Sequence, residues 1–203
     1  MRTLYLECAM GAAGDMLMGA LYELCPEKER FLADMNALLP GVTLEAEPVR
    51  RQGIAGTHMR VTVHGQEEGH DHHHGHHHGH HHGHHHEHHH HEHRSLADIE
   101  AMIDAFPLPQ PVREDARRTY ALIAQAESAA HGVEVGEVHF HEVGALDAVM
   151  DVTGVCYLMQ MLSPEAVCAS TVTVGGGTVH TAHGLLPVPA PATARLLTGV
   201  PVT

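Results

Sequence analysis

The sequence predicts an α/β or α+β fold: a mixed sheet with packed helices, interrupted by a disordered His-rich loop. Three observations support this. Strand-like and helix-like stretches interleave along the 203 residues, the pattern of a domain that layers helices on a sheet. Hydrophobic residues make up 43% of the chain, enough for a core, but aromatics are only 3%. The core must therefore come from Ala, Leu, Val and Met. Residues 65–94 are of low complexity and cannot contribute to a packed core. We expect one domain in two halves, residues 1–64 and 95–203, joined by that loop.

Thr3 to Glu7 reads as a short strand. Gly11-Ala12-Ala13-Gly14-Asp15 is a glycine-rich turn, with Asp15 expected to cap a helix through Leu24. Pro26 suits the first turn of a second helix reaching about Leu39, where Pro40-Gly41 breaks it. Thr43–Arg50 and Ile54–His64 form a hairpin around Arg51-Gln52-Gly53. Ser95-Leu96-Ala97-Asp98 is a capping-box variant that opens a helix with Leu96, Ile99, Met102 and Ile103 on one face. Pro107, Pro109 and Pro111 end it, and a longer helix runs from about Val112 to His131, stopping at Gly132. Val138 to His141 is extended, and a helix follows from about Ala145 to Leu162. Val167–Val174 suggests a strand and Thr178–Thr181 a continuation beyond Gly175-Gly176-Gly177. Pro187, Pro189 and Pro191 are too close together for a strand interior, and Ala192–Leu197 forms a closing helix.

The formal charge of −14, with 25 His counted neutral, disfavours nucleic acid and anionic membrane, whose phosphates repel it. No run reaches about 18 apolar residues, so no membrane span is expected. Cys8, Cys25, Cys156 and Cys168 form no C-x-x-C pair, and no secretory signal is evident. A cytoplasmic protein with reduced thiols is the natural expectation, and a homo-oligomer the expected state.

The densest chemistry lies in residues 70–93. Only Asp71, Gly75, Gly79, Gly83, Glu87 and Glu92 are not His. The histidines are His70, His72, His73, His74, His76, His77, His78, His80, His81, His82, His84, His85, His86, His88, His89, His90, His91 and His93. Neutral imidazole suits Ni, Zn, Cu and Co, and glycine every fourth residue gives the backbone freedom to gather several rings around one ion. Binding must weaken below about pH 6.5, where protons compete for the ring nitrogen. The alternative is a solvated linker of drifted composition. Composition alone does not rank the metals.

A second constellation is Val138-His139-Phe140-His141-Glu142-Val143-Gly144-Ala145-Leu146-Asp147. In an extended chain His139 and His141 face one side; Asp147 and Asp151, four apart, share a helix face. Two imidazoles and two or three carboxylates make an N/O metal site or an acid/base cluster. The bland alternative is a solvated helix start, where carboxylates favour the dipole. The spacing is not H-E-x-x-H. Gly11 and Gly14, between a strand and a helix, leave backbone N–H groups free for an anion. There is no Gly-Lys-Ser/Thr, so this is no P-loop, and a tight turn is the simpler reading. Gly175, Gly176 and Gly177 could form a bulge or allow close approach of a ligand. His180 and His183 could add ligands, although such residues are more often simply at the surface.

Together these segments resemble the LarC family. Leu4-Tyr5-Leu6-Glu7 with Gly11-Ala12-Ala13-Gly14-Asp15-Met16 is similar to the family's opening. His139-Phe140-His141-Glu142-Val143-Gly144-Ala145-Leu146-Asp147 is similar to its central signature. Gly175-Gly176-Gly177, followed by His183-Gly184-Leu185-Leu186-Pro187-Val188-Pro189-Ala190-Pro191-Ala192-Thr193, is similar to a third. A histidine-rich insertion ahead of Ser95 is also usual. The resemblance implies a nickel-insertion protein, a nickel chelatase of the lyase class. Such proteins place Ni(II), the substrate metal, into pyridinium-3,5-bisthiocarboxylic acid mononucleotide, the precursor of the nickel-pincer cofactor of lactate racemase, and use CTP with Mn(II) or Mg(II). It further implies His139, His141, Glu142, Asp15 and Asp147 as the transfer site, with the tract as a nickel-gathering loop. The family is about twice this length, and its C-terminal half, associated with CTP binding, is expected as a missing segment or a separate chain. The alternatives are a nickel storage or delivery protein without catalysis and, more weakly, a nucleotide-dependent hydrolase using the glycine-rich turn.

Overall fold

A computed structural model of the chain describes residues 1–67, 94–140, 143–181 and 184–203. The histidines of the tract, together with His141, Glu142 and His183, lie outside the described residues.

The order of elements is β1 (Thr3–Leu6), α1 (Gly14–Leu24), α2 (Lys28–Asn36), β2 (Val42–Arg51), β3 (Ile54–Val63), β4 (Gln66–Glu67), β5 (Arg94–Ser95), α3 (Leu96–Asp104), α4 (Gln110–His131), a 3-10 turn (Val135–Glu137), β6 (His139–Phe140), α5 (Leu146–Leu162), β7 (Ala166–Ala169), β8 (Thr178–Thr181), β9 (Gly184–Pro187) and α6 (Pro191–Leu196). The mixed α/β class is as expected. The strands form four small sheets among the described residues: parallel β1–β7, antiparallel β2–β3–β4, and the pairs β5–β6 and β8–β9.

The hairpin β2–β3 turns at Gln52 and Gly53, both at positive φ (47° and 87°), the tight turn whose twist matches the strands. Alternation buries Val42 and Leu44 on one strand and Met59, Val61 and Val63 on the other. Helix α1 lies between this hairpin and α5, and glycine permits both contacts. A Cβ on Gly19 would stand 2.6 Å from the Thr57 carbonyl oxygen, and one on Gly154 would stand 2.4 Å from the Met18 sulfur. Buried Val149, Met150, Tyr157 and Leu158 tie α5 into a single core that also takes in Phe31, Ile99, Tyr120 and Phe140. Each such large side chain stabilises the fold by about 1.5–3 kcal/mol.

Helix α3 is capped as expected. The Ser95 side chain accepts from the Asp98 N–H, and Asp98 accepts from the Ser95 N–H. Helix α4 ends at Gly132, left-handed at φ 69°. Some details differ from the sequence expectation. Asp15 does not cap α1; Ala13 occupies the cap position without a side-chain bond, and Asp15 sits in the first turn. Pro26 precedes α2, whose cap position is Glu27. Strand β9 ends at Pro187, so Pro187, Pro189 and Pro191 occupy no strand interior, as their spacing predicts. Three residues of the expected loop form short strand pieces: Gln66–Glu67 adds to β3, and Arg94, together with Ser95, pairs with β6.

Candidate functional site

Strands β1 and β7 run parallel, with Leu4 opposite Val167 and Leu6 opposite Ala169. Their carboxyl ends release two glycine-containing loops on the same side, and these loops are stitched together. The Leu6 carbonyl accepts from the Ser170 N–H (2.9 Å), and the Cys8 carbonyl accepts from both Gly11 (3.0 Å) and Thr173 (3.1 Å). The Cys8 N–H donates to Ser170 Oγ (2.8 Å). Gly11 takes φ +84° so that its turn can approach Thr173, whose carbonyl oxygen would be 3.4 Å from a Cβ there. Gly175 and Gly177 hold φ +69° and +91°, and the Gly177 carbonyl accepts from the Val188 N–H (3.0 Å). Gly11 thus lies against the segment that leads from β7 towards Gly175, Gly176 and Gly177, beyond the strand ends, the usual place for a ligand in a parallel α/β arrangement.

Three carboxylates gather where α1 and α5 begin. Asp151 packs directly on Gly14: a Cβ at Gly14 would be 2.7 Å from Asp151 Cβ and 2.8 Å from Asp151 Oδ2. Burial, followed by repulsion from Asp15 and Asp147, pushes Asp151 up to about 7, and the nearby Asp15 backbone amide lowers it. Burial and like charges disfavour its ionised form, and the polar backbone amide beside it only partly offsets them. Asp147, one helical turn earlier, accepts from the Ala148 N–H (2.7 Å) in the first turn of α5.

The turn ahead of α5 is gripped by residues the sequence reading had not singled out. The Tyr120 hydroxyl donates to the Val143 carbonyl (3.0 Å) and Arg94 Nη1 to the Gly144 carbonyl (2.7 Å). Gly144 leaves no room for a side chain, since a Cβ would meet Phe140 Cβ at 2.8 Å. Burial, then Asp147 and Asp151, raise the Tyr120 hydroxyl well above its ordinary range, so it stays a hydrogen-bond donor. Nothing in the spacing of α4 marks Tyr120 for this task; its partner is a backbone atom 23 positions away.

His139 sits elsewhere. It is exposed on β6 opposite Ser95, and it helps hold the Asp98 carboxyl below its ordinary range, after the hydrogen bonds from Ser95. It lines a cleft of about 120 Å³ with Glu127, His131, Thr181, Leu186 and Pro191. His131 Nε2 lies 3.4 Å from Glu127 Oε2 there. His180 is exposed on β8. Among the described residues no three His, Cys, Asp or Glu side chains converge closely enough to hold a metal ion. Asp15, Asp147 and Asp151 thus lie near enough to repel one another but do not by themselves form a ligand set, and His139 lines a separate cleft. The remaining two of the five expected site residues, His141 and Glu142, are outside the described residues. The four cysteines are free thiols, and no helix among the described residues is long and apolar enough to cross a membrane.

The fold is that of a mixed α/β protein whose carboxylates cluster beside a glycine turn at the carboxyl end of β1. The chain belongs to the nickel insertion protein family, whose model matches residues 4–203. Over 203 residues it is 39% identical to the pyridinium-3,5-bisthiocarboxylic acid mononucleotide nickel insertion protein of Desulfitobacterium hafniense, covering 100% of this chain and 44% of that one. Relatives from Geotalea daltonii (42% identical over 205 residues, 100% of this chain and 46% of the relative) and Syntrophobacter fumaroxidans (38% over 203 residues, 100% and 46%) are also named for nickel insertion. The chain spans about half the length of these relatives. No solved structure matches it.

Proposed function

We propose that this chain is the nickel-handling half of a protein that inserts Ni(II) into pyridinium-3,5-bisthiocarboxylic acid mononucleotide in the cytoplasm. The product would be passed to an enzyme such as lactate racemase. The observation that carries the proposal is the carboxylate corner: Asp147 and Asp151, which follow His141 and Glu142 in the chain, lie near Asp15 and against the Gly14 turn. Imidazole and carboxylate together form a borderline donor set that accepts nickel yet can release it to sulfur ligands. The histidines of residues 70–93 raise the local nickel concentration, and the corner orients the ion for transfer.

The oxygen donors of the corner also suit a hard ion such as Mn(II) or Mg(II). They do not suit a bare triphosphate, which three carboxylates would repel. CTP is therefore assigned to the part of the family's polypeptide outside this chain. A storage or delivery role without catalysis predicts instead that bound nickel tracks the histidine count and that the corner is dispensable.

The test joins this chain to the remaining part of a relative and measures nickel insertion with CTP and Mn(II). Asp147→Ala and His141→Ala are expected to slow insertion on the order of 100-fold while leaving the number of bound nickel ions nearly unchanged. Full insertion by both variants would sink the proposal and favour storage.

A further inference from the structure

The sequence of α1 is apolar on two sides, and only one is covered. Met18, Gly19 and Leu21 are buried against the core, whereas Met16 and Leu24 are 49% and 61% exposed, with exposed Ala20 between them. Met16, Ala20 and Leu24 recur every four residues, the spacing of a helix face. Asp15 and Glu23 are the only charged residues in the helix. A helix apolar all round is normally buried all round.

The neighbouring sheet poses the same problem. Parallel strands are usually covered on both faces. Here, among the described residues, β1 pairs only with β7, while Tyr5 and Val167 are 58% and 49% exposed. Between β1 and α1 lies a groove of about 280 Å³ lined by Leu4, Leu6, Leu17, Ala20, Leu21 and Leu24. Pro201 and Thr203 hydrogen-bond alongside Val172 and Val174, so polypeptide joined at Thr203 would start from this same side of the fold.

We infer that the β1–α1 groove and the open β1–β7 sheet are the docking surface for the remaining half of the family's polypeptide, whether joined to this chain or supplied as a separate one. The relatives supply the occupant: more than half of their length lies outside the region this chain matches. The inference rests on the reading of this chain as one half of a larger unit, but not on the chemistry of nickel insertion. It places the second half directly beside the glycine turns, so that a nucleotide held by that half would reach the carboxylate corner.

The experiment compares hydrogen exchange in the 203-residue chain alone and in the same chain joined at Thr203 to the unmatched part of the Geotalea daltonii relative. Amides of residues 4–24 and 166–169 are expected to exchange at least tenfold more slowly in the joined protein. Ala20→Glu with Leu24→Glu should return those rates to the values of the chain alone, while its circular dichroism and unfolding midpoint stay near wild type. Ile54→Glu, at the exposed hairpin tip, should leave the protection intact. Unchanged rates in the joined protein, protection confined to other segments, or equal disruption by Ile54→Glu would overturn the inference. So would a dimer of the chain alone that the double variant dissociates, which would make a second copy the occupant. Nickel insertion is assayed on the same joined protein; docking without insertion would leave the surface standing and remove the functional proposal.

Discussion

The histidine tract and the carboxylate corner are both made of metal-binding side chains, but they are specified in opposite ways. The tract places 18 His within residues 70–93, so any affinity it has for divalent ions would follow from local composition. The corner brings together Asp15, Asp147 and Asp151 from two helices, across more than 130 positions of sequence, and nothing local creates it. Many equivalent imidazoles can capture an ion but offer no single geometry. A few carboxylates held by packed helices could orient one only together with further ligands. The comparison separates collecting a metal from acting on it.

The strongest way to break that separation is to damage the fold and ask what survives. Gly19→Val would drive a side chain into the Thr57 carbonyl, where even a Cβ comes within 2.6 Å. Overpacking against backbone should cost about 3 kcal/mol or more. Chemical denaturation is expected to show that loss, while nickel titration of the same variant should still count nearly all the ions that the wild type binds. A parallel loss of nickel stoichiometry would mean that capture also depends on the folded core.

Next in size is the corner itself. Asp147→Ala, in the protein joined to its second half, is expected to slow insertion on the order of 100-fold, the scale of losing a group that orients a metal. Removing residues 70–93 should do the converse. Bound nickel should fall to one or two ions, and insertion should drop about tenfold at limiting nickel and recover when nickel is in excess. Steady-state rates at two nickel concentrations distinguish the outcomes. A deletion that excess nickel cannot rescue would place an obligatory ligand within the tract.

Much of the fold was legible in the sequence, because its signals are local. The alternation of Val42–Val63 around Gln52-Gly53, the Ser95–Asp98 capping box and the stop at Gly132 each declare an element within a few residues. The site was legible only in its parts. Asp15 looked like a helix cap, yet in the fold it sits in the first turn of α1 and its charge bears on Asp151. His139 and Asp147 share one signature stretch, but the strand β6 turns His139 towards Ser95 and the cleft with Glu127 and His131, away from the start of α5. Tyr120 and Arg94 could not be chosen at all, because each acts on a backbone carbonyl that carries no sequence identity. Side-chain chemistry is written in the sequence; a contact with the backbone of a distant turn is not.

The smallest expected effect bears on why the corner stays poised. Asp151 is held at about 7 by burial and by the neighbouring Asp15 and Asp147, against an ordinary value of about 3.9 in the unfolded chain. Between these two values the folded protein binds the extra proton, so its stability falls as pH rises. The cost is absent below about pH 4 and fully developed above about pH 7. A shift of this size corresponds at most to about 4 kcal/mol. Partial exposure of Asp151, and the polar amide that replaces it, reduce the expected net gain in Asp151→Asn to about 1 kcal/mol. Urea unfolding should therefore show the variant more stable than wild type at pH 8 and indistinguishable from it at pH 4. Equal stability at both pH values would mean that Asp151 ionises at little cost. A divalent ion seated at the corner should act on wild type in the same direction as the substitution, since a cation favours the ionised form. Nickel added at pH 8 should then raise wild-type stability more than that of Asp151→Asn, in a background lacking residues 70–93 so that the tract does not contribute.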